Sequence, residues 1–186
     1  ITVIATGGDN QLGGKDWDDR IVQAYANAFE QSTGTPASQL TGDLETYQEL
    51  LNAAEKAKKK LSSAKSHTEI VRFGAKREKV ELTREKFDEL TDSLLSRTVS
   101  LTEDMIERAC QRGYTRIDKI LLVGGSTYMP QVIDRMAKFN SEVKQFDPHL
   151  AVAKGAAIFG YKCFLDEQIK IQIAGNTGRD ASQIDL

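Results

Sequence analysis

The sequence is poor in the residues that would place it in several special classes. Two cysteines among 186 residues exclude a disulfide framework, and three prolines with 14 glycines exclude a collagen-like or low-complexity chain. Cys110 and Cys163 both fall in stretches that read as helix, where a buried free thiol is expected. No apolar run approaches the roughly 18 residues of a membrane span; residues 120–123 are too few and residues 151–160 are interrupted by Lys154. A basic-then-apolar leader is also missing, so the expectation is a cytoplasmic protein with no membrane partner. Twenty-five Lys and Arg against 27 Asp and Glu leave a net charge of -2, which gives no bulk attraction to nucleic acid. What is present is a globular composition, 40% hydrophobic and 28% charged, enough for a sizeable core. The length argues for one domain, and the chain begins at Ile1 inside a strand-like run rather than at Met.

Periodicity gives an ordered set of elements. Residues 1–6 are β-branched and apolar and predict a strand entering the Gly7-Gly8 turn. From Asp16, the spacing of Trp17, Ile21, Ala24 and Ala28 predicts a helix to about Thr33, with Asp16, Asp18 and Asp19 complementing its dipole. Residues 35–42 read as a loop. Asp43 is an N-cap for a helix to about Ser63 carrying Leu50, Ala54, Ala57 and Leu61 on one stripe. A hairpin follows, residues 67–73 and 78–82 around residues 74–77, then helix from Thr83, with Phe87, Leu90 and Leu94 on its apolar face, continuing to Arg112. Residues 117–123 predict a strand buried on both faces, followed by a Gly124-Gly125 turn and a short helix with Pro130 near its first position. Residues 142–146 predict a short strand, residues 150–170 a helix, and residues 171–186 a loosely held polar tail. The order predicts an α/β protein with a helical insertion after the first helix.

Three constellations could carry chemistry. In the turn at Gly124, Gly125 and Ser126, two glycines admit a ligand close to the backbone and the following helix offers free N–H groups; a simple connecting turn is the other reading. On the helix after Asp43, Glu55, Lys58, Lys59 and Ser62 fall within about 100° of one another, so a carboxylate, two ammonium groups and a hydroxyl share one face. That face suits a sugar hydroxyl, a base edge or a phosphate, or is a solvated face with a Glu55–Lys59 pair. Gly13 and Gly14 precede a helix start and suit a phosphate, or a turn that needs positive φ. Asp16, Asp18 and Asp19 do not face one point, so dipole complementarity explains them better than a metal. Trp17 belongs to the core, whereas Tyr128, just past the Gly-Gly-Ser turn, is placed to stack on a base. Neither His67 nor His149 lies near a cysteine cluster, and nothing supports nucleophilic catalysis or structural zinc.

Residues 8–18 (GDNQLGGKDWD), 55–63 (EKAKKKLSS), 120–130 (ILLVGGSTYMP) and 147–157 (DPHLAVAKGAA) resemble, in order and at similar spacing, four blocks of the DnaK-type heat-shock chaperone family. The resemblance covers roughly residues 1–165, and its blocks at residues 12–18 and 55–63 speak against a sugar-kinase relative. It implies an actin-like, ribonuclease H-like ATPase fold of two lobes, of which this chain is similar to most of the second, with a core of residues 1–12 and 98–170, an inserted helix and hairpin subdomain of residues 13–97, and Ile1 expected as a cut edge within the larger domain. It implies further that Glu55, Lys58, Lys59 and Ser62 hold an adenosine from one side and Gly124, Gly125 and Ser126 from the other, with Gly14 near the phosphates. ATP and ADP are the implied cofactors. Implied partners are the first lobe, a J-domain co-chaperone, and a nucleotide exchange factor at residues 13–97, which move with nucleotide state.

The pattern departs from the family at three positions. Tyr128 stands where an Arg usually stacks on adenine, Lys59 where the opposing Arg is common, and His149 where an acidic residue is usual; both guanidinium planes are thereby replaced. The phosphate loops and the groups that organise magnesium fall, by the resemblance, outside these residues. The expectation is therefore a lobe that binds ATP or ADP without hydrolysing it alone, magnesium entering only with the first lobe. A partner-docking module that has lost nucleotide is the alternative.

Overall fold

The computed structural model describes residues 2–139 and 142–185 of the chain. Its elements are mixed α/β and mostly helical: α1 (Gly14–Thr33), α2 (Ala37–Gly42), α3 (Leu44–Leu61), β1 (Ser66–Phe73), β2 (Lys76–Thr83), α4 (Arg84–Gln111), β3 (Lys119–Leu122), α5 (Pro130–Met136), β4 (Glu142–Gln145) and α6 (Ala151–Thr177). Three 3₁₀ turns, at Gly125–Tyr128, Ala137–Phe139 and Ala181–Gln183, complete them. β1 and β2 form an antiparallel hairpin in which Phe73 pairs with Lys76. The two-residue connection needs a positive φ, which Gly74 supplies at 57°. β3 and β4 pair in parallel, Lys119 opposite Glu142.

The core is drawn mainly from the first half, with Met129 joining it from the second. Trp17, Ile21, Tyr25 and Phe29 of α1, at the three-to-four spacing of a helix face, meet Leu50, Ala54, Ala57 and Leu61 of α3. Val71 and Leu82 of the hairpin and Phe87 and Leu95 of α4 close the cluster. α3 starts where the sequence marks it, with the Asp43 carboxylate accepting from the Thr46 amide at 2.9 Å. α1 starts two residues before the expected position, because the Asp16 carboxylate turns back to accept from the Gly13 amide at 2.7 Å. It ends at Gly34, whose φ of 69° is the left-handed cap.

Several sequence expectations are corrected. Residues 2–6 form no strand: no described strand pairs with them, and β propensity alone makes no ladder. Ile1 lies outside the described residues. The stretch read as a loop at residues 35–42 holds α2, whose Ala37 and Leu40 are buried. β3 is not covered on both faces: Leu122 is buried but Leu121, which points to the opposite face, is 56% exposed. α6 buries no side chain, so Cys163 is exposed and only Cys110, on α4, is partly covered. The tail expected from residue 171 is helical to Thr177, and Ile184 beyond it is buried. α4 is one continuous helix through residues 97–98. Among the described residues no helix is long and apolar enough to cross a membrane.

Gly34 yields a direct test of the α1 cap. A Cβ there meets nothing within 4 Å, so Gly34→Ala is expected to destabilise the chain by about 1 kcal/mol through its left-handed φ alone. Gly13 is equally open but extended at φ -157°, and Gly13→Ala is expected to stay within about 0.5 kcal/mol of the parent. Urea midpoints of the two variants check this; equal midpoints contradict it.

Candidate functional site

A cleft of about 700 Å³ opens between α3 and the Gly125–Tyr128 turn. One wall is the polar face of α3, carrying Glu55, Lys58, Lys59 and Ser62; the other carries Gly125, Ser126, Tyr128 and His149. The two constellations read separately in the sequence thus face one another. α3 presents its four groups because Leu50, Ala54, Ala57 and Leu61 are committed to the core on the opposite stripe.

The α3 groups divide between rim and floor. On the rim, Lys59 donates to Glu55 at 2.7 Å with both side chains largely exposed, and that ammonium holds the Glu55 carboxyl below its usual range. Ser62 Oγ donates to the Lys58 carbonyl at 3.1 Å, so its lone pairs are what it offers the cleft. Lys58 instead turns to the floor, donating to Asp18 Oδ2 at 2.7 Å and to the Gly14 carbonyl at 2.9 Å. Its ammonium is therefore held by α1, 40 residues or more away in sequence.

On the opposing wall the backbone sets the shape. Gly124 has φ 98°, which favours glycine, and its N–H donates to the Pro148 carbonyl at 2.9 Å. Thr127 Oγ1 donates to the Gly124 carbonyl at 2.7 Å, tying the turn. That link to Pro148 brings His149 beside Tyr128, ring centroids 5.3 Å apart and tilted by 33°. Gly124 itself lines not this cleft but the apolar groove behind it, with Ile120, Leu122 and Met136.

Gly14 does not line the cleft, yet it fixes its floor. A Cβ on Gly14 would stand 2.9 Å from Ser126 Oγ and 3.3 Å from Lys58 Nζ, so the two walls close over a backbone with no side chain. Neither Gly13, at φ -157°, nor Gly14, inside α1, takes the positive φ that was the other reading of this pair. The three aspartates of α1 separate as well: Asp16 caps the helix, Asp19 pairs with Lys15 at 2.7 Å, and Asp18 is buried against Lys58. Among the described residues no His, Cys, Asp or Glu cluster is placed to hold a metal.

Asp18 is the site residue that sequence reasoning assigned to the helix dipole. The signal was its position: Asp18 lies on the stripe of Val22, Tyr25 and Phe29, so an acid occupies an apolar face. Burial pushes its carboxyl above the ordinary aspartate value although Lys58 opposes the shift. Its Oδ1 has no hydrogen-bond partner among the described residues. Ser63 and Met129 also line the cleft; Ser63 lies next to the polar face of α3, and Met129 seals the end near the core.

The profile of the family described as Hsp70 protein matches residues 1–163. Two proteins described as chaperone protein DnaK, from two strains of Halobacterium salinarum, are each 40% identical to the chain over 168 residues. The match covers 85% of this chain and 26% of each relative, so the chain spans about a quarter of their length.

Proposed function

The chain belongs to the Hsp70 protein family, and from that premise we propose that it is the ATP- and ADP-binding lobe of a DnaK-like chaperone ATPase, whose cleft between α3 and the Gly125–Tyr128 turn takes the adenosine. Membership implies the actin-like ATPase fold. The observation that carries the reading is the convergence of Glu55, Lys58, Lys59 and Ser62 with Gly125, Ser126, Tyr128 and His149 around one cleft. A volume of about 700 Å³ lies within the range of small-molecule sites.

The residues suit the ligand. Tyr128, 41% exposed beside His149, offers a ring face to a purine. Lys58 and Ser62 offer a donor and an acceptor to a ribose. Gly14, where a Cβ would strike Ser126 Oγ, lets Ser126 and Lys58 come close to the start of α1, the end of the cleft assigned to the phosphates. The bound nucleotide supplies a phosphoanhydride, and its cleavage is assigned to groups outside these residues. Residues 13–97 form the nucleotide-responsive subdomain, on which a nucleotide exchange factor acts; the first lobe and a J-domain co-chaperone are the other partners.

Calorimetric titration of the 186-residue chain with adenosine and ADP tests the reading. Binding is expected, and Tyr128→Ala is expected to weaken it about tenfold, the worth of one base stacked on an aromatic ring. Leu44→Ala, 83% exposed at the far end of α3, serves as the control. No binding by the parent chain favours instead a partner-docking module that has lost nucleotide.

A further inference from the structure

We infer that Asp18 is a positioning residue of the cleft: it pins the Lys58 ammonium to the floor and cancels its charge, so that Lys58 serves a neutral hydroxyl rather than a phosphate. The inference rests on the adenosine reading of the cleft. An ammonium has three donors, and two are committed, to Asp18 Oδ2 at 2.7 Å and to the Gly14 carbonyl at 2.9 Å. The third remains for the cleft that Lys58 lines. Asp18 is fixed in turn by its place on the packed stripe of α1, at 9% exposure.

Charge decides what the remaining donor recognises. A carboxylate and an ammonium in hydrogen-bond contact present almost no net charge to a third group, so a phosphate at this point gains little Coulomb attraction. A hydroxyl oxygen still gains a charge-assisted bond from the oriented N–H. Lys59 contrasts with it. Its ammonium is largely exposed on the rim and paired to Glu55, whose carboxylate is itself half-exposed, so neither end of that pair is held by packing.

Adenosine and inorganic triphosphate are the probes, titrated into the full 186-residue chain and its Asp18→Asn variant. In the variant the adenosine dissociation constant is expected to rise about tenfold, the loss of one oriented hydrogen bond from a charged donor. Triphosphate binding is expected to tighten several-fold and to become more sensitive to salt, because Lys58 is then an uncancelled cation. A merely structural role would weaken both probes together, and that result, or unchanged adenosine binding, overturns the inference. A parent chain that binds no adenosine overturns the underlying reading instead. If Asp18→Asn does not fold by circular dichroism, Asp18→Glu keeps the charge and displaces the ammonium by one methylene. It is expected to weaken adenosine and leave triphosphate unchanged; parental adenosine affinity in that variant overturns the inference.

Discussion

Replacing Phe29 by alanine is expected to destabilise the chain by about 3–5 kcal/mol, the range for removing a fully buried aromatic ring. Phe29 has no exposed surface, and neither have Tyr25 and Ala26, one turn before it on α1, or Leu40 of α2. Against a total stability of about 5–15 kcal/mol for an ordinary domain, such a loss is a large fraction. The prediction is sharpened by where the other aromatic residues lie. Phe159 on α6 is 68% exposed, so Phe159→Ala is expected to change the same denaturant midpoint by no more than about 0.5 kcal/mol. Two rings of the same type, one in each half of the chain, should thus differ several-fold in effect. Urea denaturation followed by far-ultraviolet circular dichroism measures both. A Phe29→Ala loss below about 1 kcal/mol would mean that α1 does not carry the core.

That asymmetry also explains which elements the sequence made legible. α3 was readable to its cap because its signals are local: an Asp whose carboxylate reaches the third amide, and four apolar residues on one stripe, all four of which are buried. The hairpin was readable for the same reason, although β2 begins at Lys76, two residues before the expected start, because its turn needs only Gly74 and Ala75. Residues 2–6 and 117–123 share strong β propensity, but a strand is completed by neighbours that its own sequence does not contain. The second became a four-residue strand with one partner; the first found none among the described residues. α2 escaped because six residues give too few turns for a period to show. In the cleft, the α3 face followed from helical geometry and the opposing turn from its glycines. That they face each other came from family resemblance, not from spacing. Asp18 was legible in position but not in partner, since its contact with Lys58 crosses 40 residues of chain.

The largest effect expected at the cleft comes from Lys58→Met, which leaves the Asp18 carboxylate buried without its ammonium. Breaking a buried pair by removing one partner destabilises by about 3–5 kcal/mol, and the residual exposure of the two side chains, 14% and 12%, puts this pair toward the lower end. Asp18 Oδ1 already has no partner among the described residues and Oδ2 accepts from Lys58, so the variant removes the hydrogen bond that the carboxylate makes. The pH dependence identifies the cause. Burial holds the Asp18 carboxyl above its ordinary value in the folded chain, and removing Lys58 takes away the group that opposes that shift. A carboxyl raised on folding favours the fold in its protonated form. Its stabilising contribution is full below the unfolded value and is lost as pH rises through the folded one. The deficit of Lys58→Met relative to the parent should therefore be greatest at neutral pH and shrink as pH falls through the raised carboxyl value. Adding Asp18→Asn to Lys58→Met removes the uncompensated charge and is expected to recover most of the loss at neutral pH, with the pH dependence of the deficit gone. Denaturation of the parent, both single variants and the double variant at about pH 7 and pH 4.5 completes the cycle. A deficit that is the same at both pH values, or a double variant no more stable than Lys58→Met, would show that the pair does not hold the floor of the cleft.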